Sequence, residues 1–542
     1  MNYRKGVLVA VALLMALLPL FAKGQKEMVK QEVELVYNAI AECNGYDPMD
    51  SSGLDQRTLI QACFEGLLKV SPETGEYGPG QAERYEVLDN GLRYRFYLRN
   101  DIKWQDGKAV VAGDFEYAMK RQLDPAFASS TANNLYFIKN AAEIHRGEMD
   151  ADALGVTAVS DTVLDVIIKT ANPFILEWFA HASTYPVRAD VAEANIEGWT
   201  LDPKTYIGNG PFKMVSWVSR DSIKMVKSET YYDKAKVKLD KLTYVFIPEQ
   251  TTALAALRTG EIDVTEQVPS AEVPNLIADG TAVTTPMGAT YFYSINMNPQ
   301  MQDPAKMAPI WDKRVRHALS LAIDRVAITE NLLKGGQVPA YGFIPEGIIG
   351  ADGKDFRKSK KYFDPKGDVA QAQKLMAEAG FAGGKGFPVY EIFYNTNDMH
   401  ATIAQAVQDM WKKNLGINVK LVNKETTVFA DERAQGKHEI ARCGNLCSTA
   451  YPEILGLFVP ENMLTLNDPK WVDDEYVSLI RRAKDGTDAQ EIFELYHQAE
   501  DILMDEMVVI PIFFYSRVLA KAQDIDGIYV KGNLFFDRAY RK

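Results

Sequence analysis

The stretch HEIARCGNLCSTAYPE, residues 438–453, holds the side chains of this sequence best suited to metal or redox chemistry. Cys443 and Cys447 are four positions apart, and His438 precedes the first of them by five. Imidazole and thiolate are good ligands for zinc and copper, so a metal site is one hypothesis. A short local disulfide is a second hypothesis, and burial of small side chains in a core is a third.

The cysteine count leaves the redox question open. The chain has four cysteines, Cys43, Cys63, Cys443 and Cys447. Four cysteines allow three complete sets of disulfides, and the sequence does not choose among them. The six histidines are not closely paired, which argues against a site built from imidazoles. We therefore predict no metal ligands and no cofactor.

Motifs of catalysis are missing from the sequence. The segment IGNGPFK has Gly208 and Gly210 but lacks the further glycine of a dinucleotide-binding loop, and no phosphate-binding G-x-x-x-x-G-K-[ST] loop occurs. There is no G-x-S-x-G elbow, and His438-Glu439 lacks the second histidine of a zinc protease motif. The sequence predicts a binding protein, and a peptidase is the disfavoured alternative.

Length and charge narrow the class further. A chain of 542 residues exceeds one hydrophobic core, so two or three domains are expected. The net charge is -13 and no dense run of lysine and arginine occurs, which excludes a basic face for nucleic acid or anionic membranes.

The N-terminus has the pattern of a secretory signal peptide, predicted at residues 1–22. Arg4 and Lys5 precede an apolar run from Val7 to Phe21 that is too short to favour a spanning helix. No cysteine lies near the end of this run, so the lipid anchor of bacterial lipoproteins has no attachment point. We expect a periplasmic protein, with an uncleaved N-terminal anchor as the alternative.

Apolar periodicity predicts a mixed α/β chain. Alternation around Asn90-Gly91 and around Ser160-Asp161 predicts two hairpins. Helical spacing predicts one helix from residue 312 to Gly335-Gly336 and another that ends at Gly380. Residues 389–422 predict a strand, a helix and a second strand, which is the unit of parallel sheets. A late helix precedes the apolar strand VVIPIFFY.

Long segments resemble the extracellular solute-binding proteins of the oligopeptide/dipeptide-binding family, and most closely its oligopeptide-binding members. They are, in order, CFEGLLKVSPETGEYGPGQAERYEVLDNGLRYRFYLRNDIKWQDGKAVVAGDF, ALGVTAVSDTVLDVII, IGNGPFKMVSW, YYDKAKVKLDKLTYVFIPEQTTALAALRTGEIDV, RVRHALSLAIDR, LLKGGQVPAYGFIPEGI, YNTNDMHATIAQAVQDMWKKNLGINVKLVN and DILMDEMVVIPIFFYSR. The resemblance covers nearly the whole chain after the signal peptide.

The resemblance implies a two-lobe hinged fold of the periplasmic binding protein type with an extra inserted domain. Its segments place lobe I at 33–64, 204–288 and 514–542, the extra domain II at 65–203 and lobe II at 289–513. Such proteins deliver a ligand to the membrane permease subunits of an ATP-binding-cassette importer, in this case as a monomer. The ligand is expected to be a peptide.

In peptide-binding members the segment that matches 439–453 lies in the ligand cleft, so the resemblance places both cysteines on the ligand wall. Arg442, Gly444 and Pro452 match the family pattern, whereas Asn445 replaces its tryptophan. Ser448 replaces the aspartate that binds the α-ammonium of the peptide. Loss of such a carboxylate costs about 2–5 kcal/mol, so free-amine tri- to pentapeptides are expected to bind weakly.

Other ligand-lining positions also depart from the family pattern. Ser52 replaces an acidic residue before the retained Gly53, Thr426 replaces a tryptophan and Thr131 replaces a tyrosine. The groups associated with the carboxylate of the peptide are kept at Arg442, Arg433 and His400. The full set of residues implied to line the ligand is Ser52, Gly53, Leu54, Thr131, His400, Thr426, Arg433, Arg442, Cys443, Gly444, Asn445, Cys447, Ser448 and Phe514.

Two questions about the ligand follow from Ser448. The alternative to an ordinary peptide is an N-blocked peptide, an amino-acid conjugate, or a metal or haem chelate, carried in the same transport role. If the ligand has a free ammonium, the nearest carboxylates in sequence that could replace the aspartate are Glu453 and Asp431.

Overall fold

A computed structural model describes residues 32–196, 198–301, 303–350, 352–447 and 451–542. The predicted signal peptide at 1–22 and the predicted ligand residue Ser448 lie outside these ranges. Within them, no helix is both long enough and apolar enough to cross a membrane.

The strands of the described ranges are numbered in chain order. They are β1 (Glu34–Asn38), β2 (Leu68–Val70), β3 (Tyr77–Pro79), β4 (Ala82–Leu88), β5 (Arg93–Leu98), β6 (Val156–Ser160), β7 (Val163–Ile167), β8 (Phe212–Val218), β9 (Ser222–Lys227), β10 (Lys241–Val245), β11 (Val264–Thr265), β12 (Ala282–Ile295), β13 (Val338–Pro339), β14 (Tyr390–Asn395), β15 (Val419–Lys424), β16 (Ile440–Leu446), β17 (Val509–Lys521), β18 (Ile525–Asp526), β19 (Tyr529–Lys531), β20 (Asn533–Phe535) and β21 (Tyr540–Arg541).

The α-helices are numbered in the same way. They are α1 (Leu54–Cys63), α2 (Ala112–Gln122), α3 (Ala141–His145), α4 (Leu176–Phe179), α5 (Ala189–Ala192), α6 (Gln250–Thr259), α7 (Val273–Ala278), α8 (Pro304–Trp311), α9 (Lys313–Leu321), α10 (Val369–Glu378), α11 (Asp398–Leu415), α12 (Thr426–Ala434), α13 (Asp474–Asp485) and α14 (Ala489–Glu506). A π-helix spans Ala327–Leu333.

One large mixed sheet organises the molecule. Its strand order is β15-β14-β16-β12-β17-β11-β1-β10-β9-β8, and β13 also pairs with β17. We call β11, β1, β10, β9 and β8 the first side of this sheet, and β15, β14 and β16 the second side. The strands β12 and β17 lie between the two sides and belong to both.

The pairing of β12 with β17 is interrupted near its middle. Ala282–Pro286 pairs with 516–520, and the antiparallel pairing resumes at Thr290 with Phe514. Residues 287–289 fall in the interruption, and Gly288 has a φ of 65°, a left-handed conformation that suits glycine. A further register shift follows between Tyr291 and Phe292. The two sides are therefore joined by two strands whose ladder is interrupted near its middle.

Both predicted hairpins form, and they combine into a separate four-stranded sheet, β4-β5-β7-β6. The first turn uses positive φ angles at Asp89, Asn90 and Gly91, as the Asn-Gly signal predicts. Along β5 the buried residues alternate with more exposed ones. The buried side chains of this sheet join those of the first side in one hydrophobic cluster.

The predicted strand–helix–strand unit is confirmed. It consists of β14, α11 and β15, and the two strands are parallel, with Tyr390 opposite Val419. Gly416 ends the helix in a left-handed conformation with a φ of 74°. The second side buries separate clusters, one around α9, α10 and α11 and one around α13 and α14.

The single helix predicted from residue 312 to 335 is wrong, because α9 ends at Leu321. The physical reason is Arg325, which is fully buried and donates hydrogen bonds to the carbonyl oxygens of Pro511 at 2.6 Å and of Ser320 at 3.1 Å. The chain has to turn here to place this guanidinium against β17. A π-helix follows after the turn, and the side chain of Asp324 accepts the amide of Ala327 at its start.

A buried ion pair holds the loop that precedes α10 to α14. Glu500 and Arg357 pair with both side chains fully buried, and Glu500 also accepts the amides of Phe343 and Ile344 at 2.9 Å. Removal of one partner leaves an uncompensated charge in the core. This contact fixes the segment that follows β13, the short strand that pairs with β17.

We predict that Glu500→Ala destabilises the protein by about 3–5 kcal/mol, because Arg357 and two amides lose their acceptor. Urea unfolding followed by tryptophan fluorescence measures the change. Asp505→Ala is the matched control on the same helix, since its side chain is 68% exposed beside Lys313 and should change stability little. Equal stability of the two variants would contradict the assignment.

Candidate ligand-binding cleft

A large cavity of about 820 Å³ lies where the β12–β17 ladder is interrupted. Residues from the first side, from β17 and from the second side all line it. They are Ile40, Gln250, Glu266, Gln267, Val268, Ser270, Val273, Met287, Leu332, Leu333, Gly335, Gln337, Asn397, Asp398, Met399, Thr402, Ser516, Arg517 and Val518. We call this the large cavity.

A second cavity of about 240 Å³ shares Met287 with the first. Its wall combines α1, the segment around α4, the end of β16 and the β19–β20 hairpin. The lining residues are Leu54, Arg57, Gln61, Val70, Tyr77, Glu177, Trp178, Ala180, His181, Met287, Leu446, Cys447, Glu453, Lys531, Gly532, Asn533 and Phe535. We call this the small cavity, and the two together form the cleft.

Three predicted ligand residues meet beside the ladder interruption. Arg442 donates to the hydroxyl of Tyr515 at 3.3 Å and lies over the ring of Tyr291, with its guanidinium carbon 5.2 Å from the centroid. The His400 ring lies 5.6 Å from the same tyrosine ring, measured between centroids. A Cβ on Gly444 would lie 3.2 Å from the Tyr515 hydroxyl, so the glycine lets this tyrosine approach the strand.

In this group of side chains, Arg442 is charged and His400 is neutral. Burial, and then the charge of Arg442, lower the pKa of His400 to about 4. His400 is therefore neutral at pH 7. Arg442 supplies the cationic group that could meet a carboxylate.

The opposite face of β16 is directed into the core, because successive side chains of a strand point to opposite faces. Cys443 is fully buried beside Phe292, and its thiol donates to Asp468 Oδ2 at 3.2 Å. Arg433 pairs with Asp468 at 3.1 Å. The Cys443 side chain lines neither cavity, which leaves its backbone as the part available to a ligand. Arg433 is likewise held by the buried aspartate.

His438 is not near a metal-binding geometry. It is fully buried, and burial, followed by the charges of Arg433 and Lys470, lowers its pKa to about 3. No group of three or more His, Cys, Asp or Glu in the described part of the chain is arranged to hold a metal ion. The histidine therefore belongs to the scaffold under β16.

The disulfide alternatives are absent from the structure, in which all four cysteines are free thiols. Cys447 lines the small cavity, and its thiol donates to the carbonyl oxygen of Tyr451 at 3.5 Å. Burial is the first cause of the raised pKa of each thiol. Of the two cysteines in residues 438–453, Cys447 lines the cleft and Cys443 does not.

The predicted residues of the first side lie at the start of α1. Leu54 lines the small cavity, Gly53 caps the helix, and Ser52 is exposed. The Arg57 guanidinium donates to the carbonyl oxygens of Ser51 at 2.9 Å and Ser52 at 3.0 Å, which fixes this turn at the cavity edge.

The remaining predicted residues are spread out. Thr131 is buried and accepts from the Gln122 side chain at 3.2 Å, away from both cavities. Thr426 is exposed at the first position of α12. Phe514 is buried in an edge-on contact with Tyr341, with ring centroids 5.7 Å apart. Asn445 is half-buried, and its Nδ2 has no hydrogen-bond partner.

Sequence reasoning missed the charged pair in the large cavity. Arg517 Nε lies 3.1 Å from Glu266 Oε2, and the arginine side chain is 5% exposed. Glu266 also accepts from the Tyr37 hydroxyl at 3.5 Å. Locally, the sequence shows only that Arg517 follows the apolar run of β17. Its partner Glu266 lies in a distant segment, so the sequence pattern does not predict the pair. Tyr515 was missed for the same reason.

We predict that His438 makes the protein acid-sensitive. Its folded pKa of about 3 lies below the unfolded value of about 6.5, so the stabilisation is complete above pH 6.5 and falls as the pH drops towards 3. Between pH 7 and pH 5, the free energy of unfolding falls by about 2 kcal/mol because of His438 alone. Urea unfolding at both pH values measures this change. The free energy of unfolding should fall less for His438→Gln than for the wild type. His317→Gln is the control, and it should lose as much as the wild type.

Thiol titration provides a direct check of the cysteine assignment. The unfolded protein should react with four equivalents of a thiol reagent, because no disulfide consumes any cysteine. In the native protein Cys43 should react first, since it is half-buried while the other three are buried. Two equivalents or none after unfolding without reductant would contradict the free thiols.

Comparison with known proteins identifies the family to which this chain belongs. The model of the bacterial extracellular solute-binding proteins, family 5, matches residues 76–453. Oligopeptide-binding protein OppA of Bacillus subtilis is 34% identical over 495 residues, which covers 89% of this chain and 88% of the relative. Periplasmic oligopeptide-binding protein OppA of Salmonella typhimurium is 32% identical, with 98% of this chain and 99% of the relative covered.

A solved structure has the same fold over nearly the whole chain. The unliganded open form of the periplasmic murein tripeptide-binding protein MppA superposes with a TM-score of 0.79 at 30% identity, and the match covers 94% of this chain and 98% of that one. This likeness confirms the predicted fold class. The chain belongs to the family 5 extracellular solute-binding proteins, a family of substrate-binding proteins without enzymatic activity that serve peptide importers.

Proposed function

We propose that this protein captures oligopeptides in the cleft and delivers them to the permease subunits of an ATP-binding-cassette importer. The observation that carries the proposal is an open strand edge. β14 pairs with β16 at Ile440 and Ala441, whereas β12 pairs with β16 from Ile440 to Leu446. Within the described ranges, residues 442–446 thus have a strand on one edge and none on the other.

An open edge of this kind suits an extended peptide. Main-chain N–H and C=O groups of the edge can pair with those of a peptide strand, which gives affinity without reading the peptide's side chains. The edge lies beside Tyr515 and is followed by Cys447, which lines the small cavity. A peptide along this edge would therefore run between the large and the small cavity.

Arg442 is the group that we assign to the carboxylate of the peptide. Its side chain and that of Tyr515 are in hydrogen-bond contact, and the neutral His400 lies against the same tyrosine ring, Tyr291. A guanidinium can donate two parallel hydrogen bonds to a carboxylate. We also assign Leu54, Gly444 and Cys447 to the peptide site, because Leu54 and Cys447 line the small cavity and Gly444 lies on the open edge.

The boundaries that we propose for the moving parts follow the sheet. Lobe I comprises 33–64, 204–288 and 514–542, domain II comprises 65–203, and lobe II comprises 289–513. The boundaries at 288 and 514 fall at the ladder interruption, where few hydrogen bonds resist bending. Ligand contacts to both lobes would stabilise the closed form relative to the open one.

The location that we propose is the periplasm, after export directed by residues 1–22. The support is the sequence pattern of these residues together with relatives that are named as periplasmic. From there the closed protein would dock on the permease.

Peptide capture is tested by equilibrating the unfolded, washed and refolded protein with a pool of tri- to pentapeptides and identifying the retained species by native mass spectrometry. Retention of one peptide per chain is the expected result. Small-angle scattering should then show a smaller radius of gyration with the pool than without it. A pool from which nothing is retained would refute the proposal.

We predict that Gly444→Ala weakens binding of the retained peptides about tenfold. The new Cβ would lie 3.2 Å from the Tyr515 hydroxyl and 3.3 Å from Arg442 Nη2, so both groups would have to shift from their places beside the cleft. Calorimetric titration measures the affinity. Gly78→Ala is the matched control, because its Cβ would meet no atom within 4 Å. Equal affinity of the two variants would remove Arg442 and Tyr515 from the binding site.

A further inference from the structure

Two adjacent residues just before α4 belong to different hydrophobic clusters. Ile175 is buried in the cluster that joins the four-stranded sheet to the first side of the large sheet. Phe174, its neighbour, packs instead against the cluster around α13 and α14 on the second side. The segment 65–203, which we propose as domain II, therefore touches the second side through Phe174.

The rings that meet Phe174 come from two segments of the second side. Phe174 stacks on Tyr451 with ring centroids 5.0 Å apart and an interplanar angle of 17°. It also meets Phe493 of α14 edge-on, with centroids 5.5 Å apart and an interplanar angle of 73°. Stacked and edge-on pairs at such separations are favourable arrangements of aromatic rings. We call these three rings the aromatic contact.

Each partner in the aromatic contact is also held within its own part of the molecule. Phe493 is buried in the core of the second side, and the Tyr451 ring lies 6.2 Å from that of Tyr496 between centroids. On the other side of the contact, Asn172 Oδ1 accepts the amide of Phe174 at 2.8 Å, which fixes the turn before α4. The contact therefore joins side chains that their own segments already orient.

The aromatic contact adjoins the small cavity without forming its wall. Trp178 follows Phe174 closely in the chain, Glu453 follows Tyr451, and both Trp178 and Glu453 line this cavity. Met287, at the ladder interruption, lines it as well. Phe174 itself lines neither cavity, so its effect on a ligand has to be indirect.

We infer that Phe174 determines how long the cleft holds its ligand, because the aromatic contact restrains the separation of domain II from lobe II. Bending at the ladder interruption would move 65–203 away from 289–513 and expose these rings to water, which is unfavourable for apolar surface. The contact therefore favours the closed arrangement even before a ligand is bound. This inference rests on the proposed lobes and on the proposed peptide-binding function.

The aromatic contact and the ligand act on the same equilibrium. A ligand that touches both lobes favours the closed form, and the aromatic contact raises the fraction of protein that is closed before the ligand arrives. The apparent dissociation constant of the ligand is its intrinsic value divided by that fraction. Loss of the Phe174 ring should therefore weaken binding and speed release, although this ring touches no ligand.

The first test is small-angle scattering of the empty protein, prepared by unfolding, washing and refolding. Phe174→Ala should have a larger radius of gyration than the wild type, whereas Phe174→Tyr keeps a ring and should match the wild type. Phe127→Ala is the matched control and should also match it. Phe127 is a half-buried phenylalanine of the same domain, and its ring contacts Arg121 of that domain, with the guanidinium carbon 4.0 Å from the centroid. Equal radii for Phe174→Ala and the wild type would overturn the inference.

The second test is the release of a peptide that the wild type retains, followed by displacement of a fluorescently labelled copy. Phe174→Ala should release this peptide about tenfold faster than the wild type, and Phe174→Tyr and Phe127→Ala should release it at the wild-type rate. Unchanged release by Phe174→Ala overturns the inference and leaves the proposed function standing. If the wild type retains no peptide, the proposed function falls, and the scattering of the empty variants still decides whether the contact restrains opening. If Phe174→Ala does not fold, Phe174→Leu replaces it with the same expected results.

Discussion

Main-chain hydrogen bonding between β12 and β17 is the constraint on which the rest of the structure depends. Each side of the sheet is built on different parts of the same two strands. β11 extends the sheet from the late part of β17, whereas β16 extends it from the late part of β12. The ladder is interrupted at residues 287–289 and shifts register once more between Tyr291 and Phe292. The proposed change in the angle between the lobes would concentrate at residues 287–289, where Met287 contributes to both cavities.

The alternation of side chains along β16 separates binding from support. Arg442 and Gly444 are in contact with Tyr515, beside the cleft. Cys443, one position away from each, is buried against Asp468, which also forms an ion pair with Arg433. A motif that looks reactive in sequence is thus divided by the pleat of the strand, with one face beside the cleft and one face in the core.

The charged groups of the cleft are held by partners before any ligand arrives. Arg517 is paired with Glu266 in the large cavity, and Arg442 is held by Tyr515. Buried charges need such partners, because removal from water is costly unless hydrogen bonds replace it.

The sequence by itself determined the local elements and the family. Alternating apolar residues with Asn90-Gly91 define a hairpin, and helical spacing with Gly416 defines the end of α11, because turn and cap conformations depend on a few neighbouring residues. Tertiary structure decided where the helix after Lys313 ends, because the burial of Arg325 depends on β17, far along the chain. It also decided that Cys443 is buried while Cys447 lines the cleft, and that Arg517 meets Glu266. Periodicity carries no information about such pairings, since burial and charge contacts are set by segments that meet only after the chain has folded.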